Sequence, residues 1–307
     1  MNQEEKYIAR VLLKNRIYQS DKQSFEDLVV SILQFQSTTF TPVKPQGKYG
    51  DRKNDGFDSA TNTYYQIYGP EDLPKREQDA VDKLNADFSG LKDYWSKSGF
   101  TIENFNFVVN DKYKGAYPEL LKAIQSLKSS NPEISIDLKR AYHIEDIFIS
   151  LNDDSIIQIV GSIPSLYNIS DVDYSILTEV VNHILDFDLP DSEEEIPLNP
   201  DFEKKIEFNK ISNQTADILR FAFQQTYVVS DFFNTNSKFA KDELRDKFEG
   251  LYERAKYIFK DSETISDNIF YYIRNESSPV KKLSYYNAVY VLMAHYFEYC
   301  DIYEPVR

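Results

Sequence analysis

The sequence has little that could fix a fold covalently or hold it in a bilayer. It contains one cysteine, Cys300, in 307 residues. That excludes an internal disulfide framework and points to a reducing cytoplasm, with Cys300 an apolar filler at the end of the last helix. No apolar run approaches the roughly 18 residues of a membrane span. The charged start MNQEEKYIAR lacks the apolar stretch of a signal peptide. There are three histidines, His143, His183 and His295. They share no zinc-type spacing with one another or with Cys300, so each reads as an ordinary surface or core imidazole. Neither a Gly-x-x-x-x-Gly-Lys-Ser/Thr loop nor a Gly-x-Ser-x-Gly elbow occurs, so any ATP hydrolysis must come from another subunit.

Positive charge is also short, and the deficit is unevenly placed. The net charge is -15, which argues against a chain that coats nucleic acid over its whole surface. Residues 1–150 carry 20 Lys+Arg against 22 Asp+Glu, and residues 151–307 carry 15 against 28. The first half could approach a phosphate backbone locally; the second would be repelled by one.

What is abundant is aromatic surface, with 23 Tyr and 21 Phe, enough for a packed core rather than a disordered chain. Residues 5–18 are amphipathic. Phe25, Leu28, Val29, Ile32 and Leu33 recur at helical spacing behind Ser24, a fitting N-cap. A Pro/Gly-punctuated stretch, Thr41 to Gly50, precedes two short strands, 56–60 and 63–68. A charged helix over 75–97, a strand over 104–110, a helix over 117–129, a strand over 133–138 and a helix over 144–151 follow. This alternation predicts an α/β sandwich. From about residue 155 the pattern turns helical, with apolar spacing over 177–185. Asp186–Asp201 holds seven acids, three prolines and no base, the composition of a solvated linker. Helical periods return over 211–232, 239–260, 262–275 and 281–302. The aromatic stripe Tyr285, Tyr286, Tyr290, Tyr296, Phe297 and Tyr299 reads first as helix packing and second as a partner-docking face.

The segment that carries chemistry is Gly47-Lys48-Tyr49-Gly50-Asp51-Arg52-Lys53-Asn54-Asp55-Gly56-Phe57, followed by Tyr64-Tyr65-Gln66-Ile67-Tyr68-Gly69-Pro70. If its two strands pair antiparallel, Asp55 and Gln66 meet at one end of the sheet, where Glu26 of the preceding helix could join them. Hard oxygen donors in that position suit Mg²⁺ or Mn²⁺, and such a site can hydrolyse phosphodiesters. Turn formation by Asp51 and Asp55 beside glycine is the plainer alternative. An amide at 66 inside a short apolar strand is harder to explain that way, because it would be buried unpaired. Lys44, Lys48, Arg52 and Lys53 are either phosphate contacts or a solvated basic loop.

The order Glu on a helix, Gly-x-x-Gly-Asp-x-x-x-Asp-Gly, then Gln on the next strand resembles the Mrr-type branch of the PD-(D/E)xK restriction-endonuclease superfamily, in which Gln replaces the usual Glu. The resemblance covers about residues 20–150. It implies a restriction-endonuclease-like αβα sandwich in the N-terminal domain, followed by an all-helical C-terminal domain. It implies Glu26 as the helix acid, Asp55 as the central metal-binding aspartate and Gln66 as the third ligand. The family's lysine, two residues after Gln, is Tyr68 here. A phenol with an ordinary pKa near ~10 offers no cation at neutral pH, so Lys53 or Lys75 is expected to supply the charge.

With the FVVND strand and the string Lys205-Ile206-Glu207-Phe208-Asn209, the layout is similar to the effector of ABC-three-component defence systems, of which Lamassu is the best-known type. That resemblance implies a Mg²⁺-dependent deoxyribonuclease acting on DNA in antiviral defence. Its expected partners are an SMC-like ATPase of the Rad50 kind, a small accessory subunit and further copies of itself. The expected organisation is a nuclease domain over 1–155, a helical and acidic linker over 156–201 and a helical docking domain over 202–307. The rival expectation is a catalytically inactive adaptor that keeps the nuclease fold to bind DNA or protein.

Overall fold

The β-rich segments of the sequence come together as one mixed sheet in the computed structural model, which describes residues 1–44, 53–164, 172–187, 202–235, 238–299 and 302–306. Its strands are β1 (Phe40–Pro42), β2 (Gly56–Asp58), β3 (Thr63–Tyr68), β4 (Asn104–Val109) and β5 (Ser135–Lys139), arranged in chain order. The pairs β1–β2 and β2–β3 are antiparallel; β4 adds in parallel to β3, and β5 in parallel to β4. Parallel addition requires long crossovers, and two helices supply them: α3 (Glu77–Lys97) between β3 and β4, and α4 (Pro118–Ser130) between β4 and β5. Strand β1 falls where the sequence predicted a punctuated loop. It sits on the sheet's edge, where Pro42 loses no ladder bond. Gly56 is required by packing: a Cβ there would lie 2.2 Å from the Phe40 ring.

By its contacts the chain divides into two units, Arg16–Ile159 and Met1–Asn15 with Val160–Arg307. All five strands lie in the first. Two layers of helix cover this sheet. On one face Tyr64, Phe105, Phe107 and Ile136 pack with Leu84, Phe88 and Leu91 of α3 and with Leu120 and Ile124 of α4. Each such side chain contributes roughly 1.5–3 kcal/mol on leaving water. Ile67 and Val108, which alternation turns to the opposite face, are buried there. Helices α2 (Lys22–Gln36) and α5 (Ala141–Ser150) pack on β3 and β5 from that side. The N-cap of α2 is Asp21 rather than Ser24. Ser24 is its third residue, and its Oγ accepts a hydrogen bond from the Asp21 backbone N–H at 2.9 Å. Trp95, near the end of α3, packs against Tyr64 at 5.6 Å and Phe100 at 5.0 Å between ring centroids.

The other unit is helical throughout its described residues. The first part of α1 (Gln3–Gln19) joins it, because Tyr7 donates to Asp267 and Asn15 Nδ2 donates to the Asn268 carbonyl at 3.0 Å. Its other helices are α7 (Tyr174–Leu185), α8 (Phe202–Phe208), α9 (Asn213–Phe223), α10 (Thr226–Thr235), α11 (Lys238–Phe259), α12 (Ile265–Ser277) and α13 (Leu283–Glu298); α6 (Asp153–Val160) closes the α/β unit, and its last residue, Val160, begins the second segment of this one. The single helical period expected over 211–232 is two helices, α9 and α10, broken at Gln224–Gln225. Helix α13 is buried almost all round, so Tyr286, Tyr290, Tyr296 and Phe297 pack inside the unit. The fully buried guanidinium of Arg274 rests on the rings of Tyr286 and Tyr271, 4.2 and 5.1 Å from their centroids. It also donates to Asn275 and Tyr290. Stacking on aromatic faces offsets part of the cost of desolvating such a cation. The Lys205 ammonium, also buried, donates to the carbonyls of Phe297 and Ile302 at 2.7 Å each. It thus places a cation at the C-terminal end of α13, where the helix dipole favours one. Cys300, residues 188–200 and Asp201 of the acidic stretch lie outside the described residues.

His295 on α13 is 2% exposed. Phe233, Tyr296 and Tyr299 enclose it at 4.9 to 5.7 Å between ring centroids. Burial, with Lys241 adding repulsion, lowers its pKa from 6.5 to about 4. The fold therefore holds this imidazole neutral in a range where the unfolded chain protonates it. Below pH 6.5 the unfolded state binds the extra proton, so stability falls with pH until about 4, by at most about 3 kcal/mol. Urea denaturation of His295→Phe should show a shallower loss between pH 6.5 and 4 than the parent chain. Parallel pH profiles would rule the histidine out as the cause.

Candidate functional site

The β2–β3 hairpin brings Asp55 and Gln66 into contact, as the sequence predicted. Their backbones are joined first: the Asp55 N–H donates to the Tyr65 carbonyl at 2.8 Å. The Asp55 carboxylate then takes two donors on one oxygen. Its Oδ2 accepts from Gln66 Nε2 at 2.8 Å and from the Ile67 backbone N–H at 2.6 Å. Asp55 is 5% and Gln66 2% exposed. Gln66 shares the sheet face of Tyr64, so the pair faces the α3 layer.

Two features mark this place as more than a turn. Gln66 Oε1 is buried and has no hydrogen-bond partner. Next to Asp55, Asn54 is fully buried, and both ends of its amide are unpaired. Buried polar atoms are nearly always bonded, and each exception requires a reason. A ligand that accepts donors of this kind is one such reason. The unpaired Gln66 Oε1 and the Asp55 carboxylate bonded to its amide are hard oxygens of the kind that fit Mg²⁺ or Mn²⁺.

The other predicted residues are distributed differently. Glu26 is half-buried on α2, the helix that covers the opposite face of the sheet from Gln66. Among the described residues no hydrogen bond or ion pair joins it to Asp55 or Gln66. Tyr68 stacks on Phe107 at 6.4 Å. Burial pushes its phenol above the ordinary range, with Asp79 adding and Arg76 opposing, so it is neutral at physiological pH. Lys75 is exposed and pairs with Asp72 at 3.1 Å. Lys44 lies 3.8 Å from Asp27. Lys53 reaches α3, where its Nζ lies 3.0 Å from Asp87 Oδ1. Lys48, Asp51 and Arg52 lie outside the described residues.

Sequence reasoning missed two residues here, Asn54 and Asp87. Asn54 carried a signal, since it sits inside the Lys53-Asn54-Asp55-Gly56 string. Asp87 carried a misleading one. Its spacing from Lys83 is that of an ordinary exposed i,i+4 pair, yet it is buried between two lysines, with Lys83 Nζ at 2.6 Å.

Residues 175–304 match the family model described as C-terminal domain 10 of the ABC-three component (ABC-3C) systems. The match covers less than half of the chain and lies in the helical unit. It includes the Lys205–Asn209 string, whose Lys205 and Asn209 bond the backbone of residues 297–304. No curated protein matches the chain. No solved structure matches it.

Asp55→Ala leaves the Ile67 N–H and the Gln66 amide buried without their acceptor. The expected cost is about 2–4 kcal/mol of stability. Asp55→Asn, which keeps an acceptor oxygen of the same size, should cost less than half of that. Urea denaturation followed by circular dichroism measures both. Equal losses in the two variants would show that the acceptor oxygen is not what holds the hairpin.

Proposed function

We propose that this chain is the effector component of an ABC-three-component antiphage defence system, and that its α/β unit is a metal-dependent deoxyribonuclease. The observation that carries the catalytic half is the buried contact between Asp55 and Gln66, whose Oε1 is left unpaired. The order helix, three antiparallel strands, crossover helix and parallel strand supports it, as does the match of the helical unit to an ABC-3C C-terminal domain. The other subunits of the proposed assembly are an SMC-like ATPase of the Rad50 kind and a small accessory protein, with homo-oligomers of this chain a further element. The chain's acidic second half suits protein contact better than DNA contact.

In this reading Asp55 and Gln66 hold Mg²⁺ or Mn²⁺. The ion supplies Lewis-acid stabilisation of the phosphodiester and a more acidic water. The protein contributes positioning. The bond from Gln66 Nε2 to Asp55 fixes the amide, so that Oε1 keeps one direction. The Ile67 N–H fixes the carboxylate. Preorganised groups of this kind do not have to reorient during the reaction.

A second reading, a nuclease fold retained as a DNA- or protein-binding adaptor, is favoured by the neutral, stacked Tyr68 and by Glu26 lying on the other helical layer. Supercoiled plasmid incubated with the full chain and Mn²⁺ separates the two. The nuclease reading expects nicked and linear products and at least a hundredfold slower cutting by Asp55→Asn. Cutting that is indifferent to Asp55→Asn would overturn it. DNA retention without any cutting would establish the adaptor.

A further inference from the structure

A cation taken out of water needs a counter-ion, and a helix N-terminus favours an anion. The junction of α12 and α13 has the cations and the helix end without the acids. The Arg274 side chain is fully buried, yet its partners are neutral. Its Nε and Nη2 both donate to one amide oxygen, Asn275 Oδ1, at 3.0 and 2.7 Å, and its Nη1 donates to the Tyr290 hydroxyl at 3.3 Å. Among the described residues no Asp or Glu lies within ion-pair distance of it. The two stacked tyrosines offset only part of the desolvation. For a buried ion without a counter-ion, an apolar side chain of similar size is often the more stable choice.

The surroundings add positive charge rather than remove it. Tyr286, on whose ring the guanidinium rests, lies in the first turn of α13. That turn holds no acid and no side-chain cap, and its N-cap residue is Lys282. Lys281 and Lys282 are exposed, and among the described residues neither forms an ion pair. Glu179 of α7 reaches the same turn, but its carboxylate accepts from the Tyr285 hydroxyl. One turn beyond Arg274 on α12, Ser277 is fully buried and its Oγ has no partner. Asn275, by contrast, is exposed. Its amide oxygen occupies the Nε–Nη2 edge of the guanidinium, where a carboxylate would place two parallel bonds.

We propose that the α12–α13 junction is a docking site for an acidic segment of a partner protein, one carboxylate displacing the Asn275 amide from Arg274 while Lys281 and Lys282 hold the flanking acids. A protein segment fits better than a nucleic acid. Residues 151–307 carry 15 Lys+Arg against 28 Asp+Glu, so a long polyanion is repelled, whereas a short acidic segment meets only the basic turn. This rests on reading the chain as one subunit of an assembly, and it names the chemistry of the contact.

The test uses the full chain and a fluorescein-labelled oligoglutamate peptide, with binding read by anisotropy over a salt series and each variant also unfolded in urea. Arg274→Met should bind at least tenfold more weakly, with its urea midpoint at or above the parent's. Asn275→Ala removes the competing amide and should bind about threefold more tightly. The double change Lys281→Gln, Lys282→Gln should weaken binding and flatten its salt dependence. Lys122→Gln, an exposed lysine on α4 paired with Glu119, should change neither, and oligoglutamine should not bind. A parent chain that does not bind oligoglutamate would overturn the site. So would a fall in the midpoint of Arg274→Met with parent-like binding by Asn275→Ala, which would make the arginine structural. Arg274-dependent binding of a DNA duplex in place of the peptide would overturn the choice of a protein partner. None of these touches the multi-subunit reading, which fails separately if the chain co-expressed with an SMC-like ATPase forms no complex with it.

Discussion

One carboxylate oxygen, Oδ2 of Asp55, accepts a side-chain amide and a backbone N–H from adjacent residues of β3. That double acceptance fixes several things together. It sets the register at which β2 meets β3 and gives Gln66 a single orientation. It also draws the Lys53–Asp55 segment against the sheet, from where Lys53 can reach α3. Because the pair is almost fully buried, each donor would lose its water without replacement if the oxygen were absent. The hairpin's geometry and the orientation of its buried amide therefore depend on the same atom.

The parts of the fold legible in the sequence were those whose local pattern agrees with their final environment. Strands β3 and β4 are short and rich in aromatic and β-branched residues, and they became central strands. The amphipathic pattern of α2 placed Phe25, Leu28, Val29, Ile32 and Leu33 in the core. Legibility failed where distant partners decide. Pro42 spoke against a strand, and only an edge position makes it compatible with one. The first fifteen residues look like the start of an α/β domain, yet Tyr7 and Asn15 find their partners at Asp267 and Asn268. No local period can reveal such a contact.

The same division runs through the candidate site. Asp55 and Gln66 were readable because hairpin spacing brings them together. Glu26 was drawn in by a family pattern, whereas α2 carries it on the other layer. Asp87 was invisible because Lys83, four residues away, gives it an ordinary explanation. Its more informative partner, Lys53, lies across the sheet-to-helix interface. A residue with one local and one distant partner will be misread whenever the local one suffices.

Trp95 is the chain's only tryptophan, and it lies in the α/β unit, wedged against Tyr64 and Phe100. The helical unit, though rich in tyrosine, has no indole. Intrinsic emission excited near the red edge of the absorption band thus reports on one half of the molecule alone, without a label. Far-ultraviolet ellipticity is weighted toward the many helices of the other half. The indole signal gives a melting record of the α/β unit alone, against which the ellipticity of both units together can be compared in a single unmodified sample.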